Sequence, residues 1–256
     1  MKVACISYTN TKPFFYEWPA EPFELETGTP KQLAEAAERG EVVAGPLPLT
    51  ECWALEDLFE PLENWGIAVR EESRSVFLLS RVPLPHLKNK TIGVTPESST
   101  SVRLLQVLAG QKYGCTNRYK QGFADDDDGW LVIGDQALKF WRQSSPQWAC
   151  ITDLASEWWT WKKLPFVFAR WIVRKDLEKS LRQQLSGQLK TSLEKGLISL
   201  KAISEEQSRK LSIPASSLKM YLEGFRYELG EEEKKSMRLF KTMAAKLETA
   251  QGVQVA

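Results

Sequence analysis

Histidine is almost absent: His86 is the single one among 256 residues. A three-histidine zinc site and a two-histidine iron triad are therefore excluded, and a Ser-His-Asp triad would have to rest on that one residue. His86 follows Pro83, Leu84 and Pro85 and reads as part of a connector. The four cysteines, Cys5, Cys52, Cys115 and Cys150, form no Cys-x-x-Cys pair. This removes a zinc knuckle and a thioredoxin-type redox pair, and leaves scattered core thiols suited to a reducing cytosol. Net charge is also lacking, with 34 Lys and Arg against 33 Asp and Glu, or +1. No whole-molecule field would hold a nucleic acid or an anionic membrane, so neither is expected as a partner, and an anionic ligand must be caught by local geometry. No apolar run approaches the roughly 20 residues needed to cross a bilayer. The segment from Met1 to Tyr8 runs straight into an apolar strand without the features of a secretory leader. The expectation is a soluble, cytoplasmic protein; oligomeric state is not written in the sequence.

What is present is ample core material: 43% hydrophobic residues and 10 Trp, in a length suited to one or two domains. Elements alternate. Val3–Tyr8 and Phe23–Thr27 read as strands, and Thr29 caps a helix that opens at Pro30 and ends at Gly40. Val42–Gly45, Ile67–Val69 and Ser75–Ser80 read as further strands. Beyond Pro83 the same grammar restarts: strand Thr91–Val94, helix Ser99–Gly114, strand Trp130–Ile133, helix Asp135–Arg142, strand Trp148–Ile151, and helix Asp153–Lys163 capped by Asp153. After Pro165 comes the strand Phe166–Val173. From Asp176 onward the chain reads as almost all helix, with Met237, Phe240, Met243, Ala244 and Leu247 on one apolar face.

This order predicts a larger discontinuous lobe from residues 1–83 plus 165–256 and a smaller inserted lobe from 84–164. Two strand connections would cross between them. The expected fold is α/β, two-lobed and periplasmic-binding-protein-like (type II), each lobe a mainly parallel sheet with flanking helices. The ligand cleft is expected between the lobes, at the carboxyl ends of the strands.

Two strand-to-helix turns carry the polar groups. Thr95-Pro96-Glu97-Ser98-Ser99-Thr100-Ser101 joins the strand Thr91–Val94 to the helix that follows. Four consecutive hydroxyl residues at the positive end of a helix dipole suit a carboxylate or phosphate. Hydrogen bonds to a charged group contribute on the order of 1.5–3 kcal/mol each, so a few convergent donors could hold a small carboxylate. An ordinary N-cap with spare hydroxyls accounts for the same residues. Ser7–Phe14 has the same geometry at the end of the first strand and sets Asn10 and Thr11 where a ligand would meet it, or where turn and cap residues simply belong.

Read together with three further motifs, these turns resemble the chorismate dehydratase family of the futalosine route to menaquinone. The motifs are Ile6-Ser7-Tyr8-Thr9-Asn10-Thr11-Lys12-Pro13-Phe14, Thr95–Ser101, Ile133-Gly134-Asp135-Gln136-Ala137-Leu138, the stretch from Asp153-Leu154 through Glu157-Trp158 and Trp161 to Leu164–Ala169, and the pair Ser192–Leu197 and Tyr221–Gly230. The resemblance runs nearly end to end. It implies a cytosolic enzyme that removes water from chorismate to give 3-[(1-carboxyvinyl)oxy]benzoate without metal or organic cofactor. It further implies Asn10 and Ser75 as catalytic residues. A small dicarboxylate substrate would be bound by Thr11, Glu97, Ser98, Ser99, Thr100, Ser101, Gly134 and Asp135. The part Glu97 plays, as base, cap or solvated acid, stays open, and a substrate carboxylate could itself take the proton.

The chain departs from that family at Pro46-Leu47-Pro48-Leu49-Thr50-Glu51-Cys52, where Pro48 and Leu49 replace two hydroxyls, and at Arg70–Arg74, which lacks a glycine. These departures leave room for a non-catalytic or altered-specificity binding protein for a small aromatic carboxylate. Asp125–Asp128 lacks the spacing of a calcium loop and reads as a solvated loop. Trp158, Trp159 and Trp161 read as packing residues.

Overall fold

The computed structural model describes residues 1–141 and 147–251. The chain begins β1 (Lys2–Ile6), a 3-10 turn (Thr9–Phe15), β2 (Glu24–Gly28), α1 (Pro30–Glu38), β3 (Ala44–Pro48), α2 (Leu49–Ala54) and β4 (Phe59–Val69). It continues with β5 (Val76–Ser80), β6 (Thr91–Val94), α3 (Ser99–Val107), β7 (Arg118–Gln121), β8 (Gly129–Ile133), α4 (Gly134–Leu138), β9 (Cys150–Asp153) and α5 (Leu154–Lys162). The last third holds β10 (Phe166–Arg174), α6 (Lys179–Ile198), α7 (Leu200–Leu211), α8 (Ala215–Glu223), β11 (Phe225–Glu228) and α9 (Glu231–Gln251).

Local chemistry explains the helix boundaries. Thr29 and Gln32 form a reciprocal capping box, with Pro30 in the first helical position, so α1 starts where the sequence says it must. Asp153 caps α5 through the backbone N–H groups of Ala155 and Ser156. The helix expected over 99–114 is α-helical only to Val107, after which Leu108–Lys112 widen into a π-turn. The helix expected to reach Arg142 stops at Leu138, and Arg142 itself lies outside the described residues. The strand expected at Trp148–Ile151 forms at Cys150–Asp153.

Two compact units result: 1–68 with 168–229, and 69–167 with the segment from Gly230. The expected boundaries at 83/84 and 164/165 therefore differ from those observed, and the chain crosses between units three times instead of twice. Two elements account for the difference. Val76–Ser80 pairs with β8 on one side and β9 on the other, so it belongs to the second sheet. The apolar face of α9 packs within the second unit: Phe240 meets Trp158 and Phe166, and Ser236 Oγ accepts from Trp158 Nε1 at 3.1 Å. Periodicity shows that α9 has an apolar face but carries no information on what that face covers.

The first unit contains a six-stranded sheet in the order β11-β4-β10-β3-β1-β2, and the second a five-stranded sheet in the order β7-β6-β8-β5-β9. Both are mixed, with β10 antiparallel to β3 and β5 antiparallel to β8 and β9. The parallel pairs expected from the strand-helix-strand grammar are present as β1 with β2 and β3, and β6 with β7 and β8. The strand β11 is an exception to the expected all-helical tail. Its alternating burial places Phe225 and Tyr227 inward.

The 3-10 turn after β1 is wedged into the first unit. Phe14 is fully buried between Trp171 and Tyr227, at ring separations of 5.5 and 5.1 Å. Gly196 of α6 lies against Pro13 so closely that a β-carbon there would meet the Pro13 carbonyl oxygen at 2.3 Å. Gly196→Ala is therefore expected to lower stability by about 1–3 kcal/mol, read by urea unfolding. A neutral effect would show that the turn can yield.

Candidate functional site

In the first unit the polar residues gather at the carboxyl end of β1. Thr11 is fully buried, and its hydroxyl lies 2.6 Å from the carbonyl of Ile6 and 2.8 Å from that of Tyr8. Its one hydroxyl proton is engaged in holding the turn. Asn10 is different. Its side-chain Oδ1 is buried and accepts no hydrogen bond from any described residue, while its backbone carbonyl accepts one from the Tyr227 hydroxyl at 2.9 Å. A buried acceptor without a donor costs about 1–3 kcal/mol, so Asn10 is a side chain prepared for a hydrogen-bond donor that the fold does not supply.

In the second unit the direction of β5 matters. Because β5 runs antiparallel to β8, its first residues lie beside the last residues of β8: Val76 pairs with Ile133, and Gly134 N–H donates to the Ser75 carbonyl at 2.8 Å. Ser75, Gly134 and Asp135 thereby lie together at one sheet end. The turn after β6 belongs to the same end, since Val94 pairs with Leu131 and Thr95 N–H donates to the Leu131 carbonyl.

That turn combines the two readings left open by the sequence. Ser98 is a true N-cap: its Oγ accepts from Ser101 N–H at 3.2 Å and lies 3.1 Å from Ser101 Oγ. These two hydroxyls are occupied by the helix start. Thr100 is buried, Ser99 and Glu97 are half-buried, and Glu97 N–H donates to Thr95 Oγ1.

Asp153 is the residue that sequence reasoning placed only as a helix cap and whose wider role it missed. Its Oδ1 accepts from Ala155 and Ser156 N–H, while Oδ2 accepts from Ser73 N–H, Ser73 Oγ–H and Arg74 N–H at 2.9, 3.0 and 2.7 Å. Burial raises its carboxyl above the usual aspartate range, against these hydrogen bonds, which favour the ionised form. Ser73 passes the constraint on, with its Oγ accepting from Val76 N–H at 3.1 Å and its carbonyl lying 3.3 Å from Ser75 Oγ. Ser75 is 2% exposed and is held by this chain of contacts.

The departures and bland readings also find places. Pro48 and Leu49 are buried at the junction of β3 and α2, where the helix has no side-chain cap. His86 is exposed in a short 3-10 connector. Asp127 is 1% exposed and paired with Lys120 at 2.7 Å, so the acidic run is a tied loop and not a fully solvated one. Among the described residues no group of three or more His, Cys, Asp or Glu side chains is placed to hold a metal. Burial pushes the Cys52 thiol up to about 12, so it is a neutral core group. No helix among the described residues is long and apolar enough to cross a membrane.

Likeness to known proteins extends over nearly the whole chain. The profile of a family described as menaquinone biosynthesis matches residues 1–246. The chain belongs to the menaquinone biosynthesis family. It is 28% identical over 251 residues to a chorismate dehydratase from Thermus thermophilus, covering 91% of each chain. The fold of this menaquinone biosynthesis family member matches protein AF1704 from Archaeoglobus fulgidus with a TM-score of 0.77 at 16% identity, over 97% of each chain. It also matches the periplasmic aliphatic sulphonate binding protein SsuA from Escherichia coli with a TM-score of 0.63 at 11% identity, over 99% of this chain and 88% of that one. The architecture is thus periplasmic-binding-protein-like, as expected from the order of elements.

Removing the Asp153 carboxylate leaves five donors without their acceptor. Asp153→Ala is expected to cost on the order of 3 kcal/mol in urea unfolding, and Asp153→Asn, which keeps one acceptor oxygen, less. Equal stability of both variants with the wild type would remove Asp153 from this role.

Proposed function

We propose that the protein is a chorismate dehydratase, a cofactor-independent hydro-lyase of the cytoplasm that converts chorismate to 3-[(1-carboxyvinyl)oxy]benzoate. The observation that carries this reading is the buried, donorless Asn10 Oδ1 within the residues that match the menaquinone biosynthesis family. The likeness to a named chorismate dehydratase over most of the chain supports it.

The chemistry asks little of the protein. The ring hydroxyl of chorismate and the neighbouring ring proton depart as water; the electron pair of the broken C–H bond completes an aromatic ring as the C–O bond breaks. Aromatisation supplies the driving force, so the protein must orient the substrate, accept or relay one proton and assist the leaving hydroxyl. In this proposal Asn10 Oδ1 accepts a hydrogen bond from the ring hydroxyl, which keeps its hydrogen, and fixes the ring. Ser75, held from Asp153 through Ser73, lines the substrate on its other contacts. Ser99 and Thr100 at the start of α3, with Gly134 and Asp135, meet a carboxylate, while Ser98 and Ser101 keep the helix start in shape. Glu97 or the substrate's own side-chain carboxylate takes the ring proton and returns it to the departing hydroxide, completing the water.

Purified protein mixed with chorismate is expected to consume the diene absorbance and yield the enolpyruvyl benzoate. Asn10→Ala and Ser75→Ala should each reduce kcat/KM by roughly 10²-fold with unchanged melting temperature. Tight binding of benzoate-type ligands in calorimetry with no product would favour a binding protein of altered specificity, the reading that Pro48 and Leu49 support.

A further inference from the structure

We propose that Tyr227 is a positioning residue that acts through Asn10, an inference that rests on the function proposed above. The need for it arises from the sequence of the turn. In a 3-10 turn the carbonyl of residue i is met by the N–H of residue i+3. For Asn10 that residue is Pro13, which has no N–H. The Asn10 carbonyl is left short of the turn's own donor at the residue whose side chain is to meet the substrate. Tyr227, 217 residues away on β11, supplies the donor at 2.9 Å.

Everything around Tyr227 fixes that donor in place. Its ring packs edge-on against Phe14 at 5.1 Å, and Phe14 lies in the same turn as Asn10. The ring is 4% exposed, so the hydroxyl has no free choice of solvent partner. Beyond Tyr227 the strand is tied down where Leu229 N–H donates to the Asn64 carbonyl at 2.7 Å. Burial drives the tyrosine's ionisation far above its ordinary range, so the group remains a neutral donor across the working pH. One hydrogen bond therefore sets the peptide from which the Asn10 amide projects, and a rotation there would swing Oδ1 off its target.

The experiment compares wild type, Y227F, N10A, the N10A/Y227F pair, and protein carrying p-aminophenylalanine at position 227, each assayed with chorismate and melted in parallel. Y227F is expected to lose roughly ten-fold in kcat with KM changed less than about two-fold, the scale of one hydrogen bond of about 1–1.5 kcal/mol. In the N10A background the same change should cost no further activity, although its effect on melting persists. The p-amino group, which restores an N–H donor, should recover most of the rate. Wild-type kcat in Y227F, an equal loss in both backgrounds, or no recovery with p-aminophenylalanine would overturn the positioning role. Wild-type protein that leaves chorismate untouched would instead overturn the functional proposal, and this inference with it.

Discussion

The site end of the first unit depends on one short turn that cannot satisfy itself. Between β1 and the next segment the chain must reverse, bury Phe14 and leave Asn10 half-buried, and it does so with a proline in the turn. The carbonyl that the proline leaves without its i+3 donor, that of Asn10, is met from elsewhere in the chain. Thr11 lies within reach of the Ile6 and Tyr8 carbonyls, Tyr227 reaches the Asn10 carbonyl, and Gly196 lets α6 approach the Pro13 backbone. Asn10 Oδ1 is a buried side-chain acceptor of this turn that takes no hydrogen bond from any described residue.

The second unit reaches the same end by a different device. One carboxylate, Asp153, collects donors from two segments distant in sequence, the start of α5 and the turn before β5. Converging backbone N–H groups on a single ionisable side chain fixes both segments together, which no set of separate caps would do. The reversed direction of β5 then turns a strand beginning into a neighbour of strand endings, so that Ser75 joins Gly134 at the same edge.

Much of this was legible in the residues. The capping box at Thr29, the strand Thr91–Val94, the cap at Asp153 and the apolar face of α9 follow from local chemistry and are present as expected. The motif positions Ser75, Gly134 and Asp135 prove to be spatial neighbours. What was not legible shares one property: it depends on partners far away in sequence. Strand direction for β5, the destination of α9 and the link from Tyr227 to Asn10 are pairings across tens to hundreds of residues, and periodicity is silent about pairings. Thr11 and Ser98 illustrate the same point at short range. A hydroxyl in a turn reads alike whether it faces a ligand or its own backbone, and only coordinates separate the two.

The division of the chain has a consequence for biosynthesis on the ribosome. The second unit owns Val69–Val167 but finishes only with α9, whose Phe240 and Ser236 close over Trp158 and Phe166. The first unit in turn waits for β10, α6 and β11. Neither core can be sealed while its later piece is still in the exit tunnel, so the nascent chain carries bare tryptophan and phenylalanine surface until that piece emerges. The order in which segments emerge therefore sets how long that surface stays uncovered, with Trp158 and Phe166 waiting for Phe240 of α9.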